Sequence, residues 1–161
     1  MAISRSDALV LFGVTGDLAH KMTFPALYAM VKRGALKVPV IGVAFPSWSL
    51  TRLRKRVTDS IKRSGGIDDE RALHNLLSLL TYVSGDYKDP ATFTALKKAL
   101  GKAHRPAYYL AIPPVLFGTV IKGLGAAKLA EHVRVIVEKP LGSDLASARD
   151  LNRVARCVCS G

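Results

Sequence analysis

Acidic residues are scarce in this chain: 12 Asp and Glu stand against 24 Lys and Arg, for a formal charge of +12. Cysteine is scarcer still, with only Cys157 and Cys159. Two thiols this close together build neither a disulfide framework nor a four-ligand zinc site, so no metal site is expected and a reduced, cytoplasmic setting is. No apolar run approaches the ~18 residues of a membrane span. Met1 to Asp7 is too short and polar for a secretory signal, and export is not expected. No G-x-x-x-x-G-K-[ST] segment occurs, which excludes the phosphate loop of nucleoside triphosphatases. Aromatic residues make up 7% and do not interleave with the main basic cluster, Arg52, Arg54, Lys55, Arg56, Lys62 and Arg63. That cluster reads as a solvated helix face rather than a platform for single-stranded nucleic acid. The charge then suits a small phosphorylated polyanion.

What is present is organised around one stretch. Ala8 to Phe12 is five apolar residues, too short for a free-standing helix and suited to a parallel strand buried on both faces. Gly13 and Gly16 follow at once, with Val14 and Thr15 between them. Asp17-Leu18-Ala19 then opens a run in which Leu18, Met22, Pro25, Leu27 and Met30 recur at roughly helical spacing. A strand, a glycine turn and a helix N-terminus make an anion site, because the backbone comes close and the first amides meet the ligand with the helix dipole. The spacing G-x-x-G is shorter than the usual G-x-G-x-x-G. A tight strand-to-helix turn also explains the glycines, and the dipole also explains Asp17.

Lys37 to Ala44 reads as a second buried strand and Phe45 to Ser49 as the loop beyond it, with Ser49 capping a helix from Leu50 to Lys62. Asp68 to Leu80 is a further helix and Thr81 to Ser84 a third strand, ending at Gly85-Asp86-Tyr87. Asp89-Pro90 starts the helix Ala91 to Leu100. Ala107 to Ile112 is a fourth strand, stopped by Pro113-Pro114 and followed by a helix from about Val115 to Gly123, then a looser connection around Gly123 and Gly125. Val133 to Glu138 is a fifth strand, and Ser143 or Asp144 caps a last helix to about Val158. Alternating strands and helices with short connections predict an α/β fold, a doubly wound, mostly parallel, Rossmann-like sheet of order 3-2-1-4-5. Its ligands bind beyond the carboxyl ends of the strands, where Gly13 to Asp17, Phe45 to Trp48, Asp86-Tyr87, Pro113-Pro114 and Lys139-Pro140 all fall.

Gly13-Val-Thr-Gly-Asp-Leu-Ala19, Tyr109-Leu-Ala-Ile-Pro-Pro114 and Val137-Glu-Lys-Pro-Leu-Gly142 together resemble the N-terminal coenzyme domain of the glucose-6-phosphate dehydrogenase family. The resemblance runs from Ala8 to about Asn152 and implies a single NAD(P)-binding domain over residues 1–161. It implies that Gly13, Val14, Thr15, Gly16, Asp17 and Leu18 hold the coenzyme pyrophosphate. Ala44 and Phe45 would flank the adenosine end, Asp86, Tyr87, Tyr109 and Pro113 would lie along the cofactor, and Lys139 would contact both the nicotinamide and the sugar phosphate. The implied cofactor is NADP, and the implied partner is glucose 6-phosphate in the full-length context.

Two departures stand out. Phe45 occupies the position where the family usually carries an arginine for the NADP 2′-phosphate, so NAD becomes an alternative and Arg52, or a neighbouring base in the Arg54 to Arg56 cluster, is the expected source of the missing charge. Met22 likewise stands where many relatives have a lysine. The family's R-I-D-H-Y-L-G-K-E segment, with its catalytic Asp and His, has no counterpart, and His20, His74, His104 and His132 read as ordinary exposed histidines. No catalytic residue is therefore expected, and the α+β substrate domain is absent from these letters. The chain is expected to bind cofactor without turning over sugar, and an uncovered sheet edge favours a homo-oligomer. The alternatives are the coenzyme domain of another sugar oxidoreductase with an E-K-P motif, or a basic non-enzymatic nucleotide- or nucleic-acid-binding module. No nucleic-acid or membrane partner is expected.

Overall fold

Every residue of the first strand, β1 (Ala8–Phe12), is at most 1% exposed, as a central strand covered on both faces requires. In the computed structural model, which describes residues 7–17, 19–103, 105–129 and 134–137, it pairs on one side with β2 (Val40–Ala44) and on the other with β4 (Pro106–Leu110). β3 (Leu80–Ser84) and β5 (Arg134–Val137) complete the sheet. All neighbours are parallel and the order is β3-β2-β1-β4-β5. This is the doubly wound arrangement expected from the alternation of elements.

The two-residue period of β1 divides the core. Leu9 and Leu11 face one side, where they meet α1 (Phe24–Lys32), α2 (Leu50–Ser64) and α3 (Glu70–Leu79). Ala8, Val10 and Phe12 face the other, packed with α4 (Pro90–Leu100) and α5 (Phe117–Ala126). Phe12 sits within 6.3 Å, centroid to centroid, of Tyr87, Phe93 and Tyr108. The caps follow the sequence. Ser49 Oγ accepts from the Arg52 amide at 3.1 Å, and Asp69 Oδ1 accepts from Ala72 N–H at 3.0 Å. Asp89 Oδ1 accepts from Ala91 N–H at 2.9 Å, with Pro90 in the first helical position.

Three local expectations are corrected. β2 begins at Val40 rather than Lys37, because Pro39 has no N–H to give the ladder, although its carbonyl accepts from Leu9 N–H at 2.9 Å. The helix after the fourth strand does not loosen at Gly123. It continues to Ala126, and Gly123 is there because a Cβ would lie 2.2 Å from Phe93 Cε2. Between Ala19 and Thr23 the chain makes a π turn before α1 starts, which changes the side-chain register of the predicted stripe. Met22 consequently stands 55% exposed, while Leu27 and Met30 are buried as expected. Leu18, His104, His132, Lys139, Cys157, Cys159 and the expected last helix lie outside the described residues. Among the described residues no helix is long and apolar enough to cross a membrane.

Candidate coenzyme site

The parallel order brings the carboxyl ends of β1, β2, β3 and β4 to one edge, and Gly13 is the point where they meet. Its φ is +80°, and a Cβ there would lie 2.2 Å from the Ala111 carbonyl oxygen, so only glycine can carry the chain across the end of β4. The Gly13 N–H is shared between Val43 O at 2.9 Å and Tyr87 Oη at 2.9 Å. The Tyr87 hydroxyl donates in turn to Val43 O at 3.2 Å. Burial pushes that phenol up to about 12, against a smaller opposing effect of the Gly13 amide. One tyrosine from the loop after β3 thus fastens the glycine turn to β2.

The turn then closes on itself: Gly16 N–H donates to Gly13 O at 3.0 Å and His20 N–H to Gly16 O at 3.2 Å. Val14 is fully buried against Gly42 of β2, where a Cβ would lie 2.9 Å from Val14 Cγ1. Gly16 and Asp17 are exposed and Thr15 half-buried. Among the described residues nothing accepts from the amides of Val14, Thr15 or Asp17. The inward amide is Gly13's, and these later amides form the donor set left for an anion.

At the end of β2, Ala44 is buried and its carbonyl accepts from Gly85 N–H at 2.9 Å. Phe45 is 69% exposed. The Tyr82 hydroxyl donates to the Pro46 carbonyl and holds the loop against β3. Beyond it, the Arg52 guanidinium lies 4.3 Å from the Trp48 ring centroid and that of Arg56 at 5.8 Å. Arg56 Nη2 in turn stands 3.8 Å from Asp17 Oδ1. The mouth therefore carries a ladder of Trp48, Arg52 and Arg56 reaching back to the glycine turn. Arg56 belongs to the Arg54 to Arg56 cluster expected as an alternative to Arg52, and Trp48 to the loop expected at the strand ends; their i, i+4, i+8 spacing brings the three together.

The other expected positions divide. Asp86 is exposed, its Oδ1 accepts from Lys88 N–H at 2.9 Å, and its carbonyl accepts from the Thr92 hydroxyl at 2.7 Å, so it shapes the loop that presents Tyr87. Tyr109 pairs with Leu11 and packs on the α1–α3 side of the sheet. Pro113 is exposed and precedes a 3-10 turn, Pro114–Leu116. Val137, the last described residue of β5, pairs with Leu110, two residues before Lys139 in the sequence. His20 departs from the expectation of an ordinary exposed histidine. It is half-buried, its Nδ1 is enclosed without a partner among the described residues, and burial with Arg56 and Arg63 pulls its pKa down. Arg54 also leaves the solvated face, since its Nε donates to the Leu77 carbonyl at 3.2 Å, at the end of α3.

A parallel sheet in this order, with its glycine turn leading from the central strand to a helix, defines a dinucleotide-binding α/β domain. The model of the glucose-6-phosphate dehydrogenase NAD-binding domain matches residues 10–160. The chain belongs to that family. It is 45% identical over 153 residues to glucose-6-phosphate 1-dehydrogenase 1 of Mycobacterium tuberculosis, covering 95% of this chain and 33% of the relative. The enzyme of Saccharomyces cerevisiae is 35% identical over 162 residues, covering 92% and 32%. Among solved structures, glucose-6-phosphate 1-dehydrogenase from Mycobacterium avium superimposes with a TM-score of 0.86 at 46% identity, over 95% of this chain and 34% of that one. A glucose-6-phosphate dehydrogenase in complex with glucose 6-phosphate gives 0.79 at 33% identity, over 96% and 35%. The chain thus spans about a third of the length of the relatives it matches.

Proposed function

We propose that these 161 residues act as the NADP-binding domain of a glucose-6-phosphate 1-dehydrogenase, in the cytoplasm. The observation that carries the reading is the glycine turn, whose Val14, Thr15 and Asp17 amides have no acceptor among the described residues while Gly13 and Val14 are locked from behind. That donor set fits a diphosphate, which brings only acceptors. Gly13 to Leu18 would hold it, with Ala44 and Phe45 beside the adenosine and Asp86, Tyr87, Tyr109 and Pro113 behind the remaining cofactor.

NADP, when bound, supplies the hydride acceptor for oxidation of the sugar C1 hydroxyl. The residues of this chain bind and orient. Lys139 would contact the nicotinamide side and the phosphorylated sugar, where a compact ammonium attracts an anionic substrate and donates to a hydroxyl. Glucose 6-phosphate is the substrate because a relative of 33% identity is solved with it. The sequence holds no counterpart of the family's Asp–His pair, so none of these residues is assigned as the base that accepts the C1 proton. Preference for NADP over NAD would rest on Arg52, stacked on Trp48 at the end of β2, in place of the arginine replaced by Phe45. Assembly with further copies would cover the sheet edges.

Titration of the chain with NADP and NAD tests this. Wild type should bind both, and Arg52→Ala should weaken NADP about tenfold, the worth of one charge-assisted hydrogen bond to a phosphate, while leaving NAD unchanged. Equal losses for both coenzymes, or none, would remove Arg52 from the reading. Failure to bind either would remove the reading itself. The 161-residue chain mixed with NADP and glucose 6-phosphate should produce no NADPH absorbance.

A further inference from the structure

Beside Arg56, α2 and the π turn form a recess of about 380 Å³ lined by His20, Arg56, Asp59, Lys62 and Arg63. Arg56, Asp59 and Arg63 share one face of α2 by their three- and four-residue spacing, and His20 reaches the same place from Ala19–Thr23. The two elements are fixed to each other, since the Ser60 hydroxyl donates to the His20 carbonyl. Three basic side chains, Arg56, Lys62 and Arg63, therefore line the recess with Asp59, and Asp17 stands beside Arg56.

Two nitrogens of this group are enclosed without a partner among the described residues. Arg56 has five N–H donors and a side chain only 29% exposed, yet the one carboxylate within 4.0 Å of it among the described residues is Asp17, at 3.8 Å and outside hydrogen-bond reach. Its Nε is enclosed with no acceptor among the described residues, and His20 Nδ1 is enclosed there without a hydrogen-bond partner. Neither Lys62 nor Arg63 meets a carboxylate within 4.0 Å among those residues. Half-enclosed guanidinium groups normally find acceptors. A neutral acceptor such as water would answer the N–H groups but not the excess of positive charge. An oxyanion answers both, and its tetrahedral oxygens suit arginine forks approaching from different sides.

We infer that this recess is a second anion site, built for a phosphate group and distinct from the glycine turn. Arg63 lies seven residues, roughly 10 Å of helix, beyond Arg56, so the recess runs away from the coenzyme mouth, and Arg56 and His20 border both. The shared chemistry is a phosphate monoester or inorganic phosphate.

The test is a titration of the isotope-labelled 161-residue chain with inorganic phosphate at constant ionic strength, followed by NMR on the α2 amides and arginine side chains, with and without saturating NADP. Saturable shifts at Ser60–Ser64 should appear, and Arg63→Ala and, separately, Lys62→Ala should each weaken phosphate about fivefold, leaving NADP affinity unchanged. Both side chains are exposed, so neither variant threatens the fold. Lys97→Ala on α4 removes the same charge elsewhere and should change phosphate binding less than twofold. Phosphate that binds equally well to the Arg63 variant, or weakens equally with Lys97→Ala, overturns the site in favour of diffuse attraction. Phosphate displaced from the recess by NADP would make it part of the coenzyme site and overturn its independence. Repeating the titration with glucose 6-phosphate separates a free phosphate from a sugar-borne one. If the chain binds neither NADP nor NAD, the phosphate arms still decide the recess alone.

Discussion

Gly42→Ala is the sharpest probe of how the sheet sets the glycine turn. The new methyl would lie 2.9, 3.0 and 3.1 Å from Val14 Cγ1, Cγ2 and Cβ. Val14 cannot withdraw, because its neighbour Gly13 abuts Ala111 and is bonded to Val43 and Tyr87. Overpacking of this kind costs about 1–3 kcal/mol, and replacing glycine within a strand returns roughly 0.5–1 kcal/mol. The net loss should be about 1–2 kcal/mol. Val14→Ala alone removes two buried methyl groups, at ~0.8 kcal/mol each plus a cavity contribution, for about 2–3 kcal/mol. In the double variant the alanine methyl at 42 occupies the space vacated at 14, so the loss should fall below the sum by about 1–2 kcal/mol. Urea unfolding of the four proteins by circular dichroism measures this coupling, and 1 kcal/mol moves the melting temperature by about 2–4 °C at this size. NADP affinity should drop in Gly42→Ala and recover in the double variant. Losses that add to within ~0.5 kcal/mol, the behaviour of independent sites, would refute the contact as the cause.

Two further outcomes concern pH. The Tyr87 phenol rises from 10.0 to about 12 in the folded chain, so its contribution to stability is complete below pH 10 and is lost as pH rises through 12. Tyr87→Phe should cost about 0.5–1.5 kcal/mol at neutral pH and flatten the stability profile over that alkaline window, measured by urea midpoints against pH. A profile unchanged by the substitution would contradict the burial of the hydroxyl. At the other end, the Lys32 ammonium, 3.0 Å from Asp68 Oδ1, and secondarily the Tyr28 hydroxyl hold the Asp68 carboxyl below its ordinary value of 3.8. Its contribution is present above that value and lost as pH falls through the lower folded one. Asp68→Asn should lose stability at pH 6 and shed the part of the acid sensitivity that lies below pH 4. Equal acid sensitivity in the variant would show that the α1–α3 link does not titrate.

The order of the sheet was legible because strands buried on both faces are written as uninterrupted apolar runs, and Ala8 to Phe12 and Val40 to Ala44 are such runs. Ser49, Asp89 and Pro90 announced their helices through side-chain chemistry that acts within three residues. What escaped the sequence depended on contacts distant along the chain. Gly123 was read as a loosening of the helix, but its glycine answers Phe93, thirty residues earlier. The π turn at Ala19–Thr23 moved Met22 outward against a period that described Leu27 and Met30 correctly. At the candidate site, the glycine turn was readable as a local motif. The role of Tyr87 was not: its distance from Gly13 is 74 residues, and no spacing rule links a phenol to an amide that far away.

The bond between Tyr87 and Gly13 also bears on how fast a coenzyme would arrive. A loop that must organise around its guest pays an entropic toll and reports a slow isomerisation after encounter. Here a hydroxyl from the connection after β3 already acts as a keystone, so the outward amides keep their spacing before any guest is present. Association should then be a single kinetic phase, quickened at low salt by the chain's positive charge. With that keystone removed, a second, concentration-independent phase should emerge.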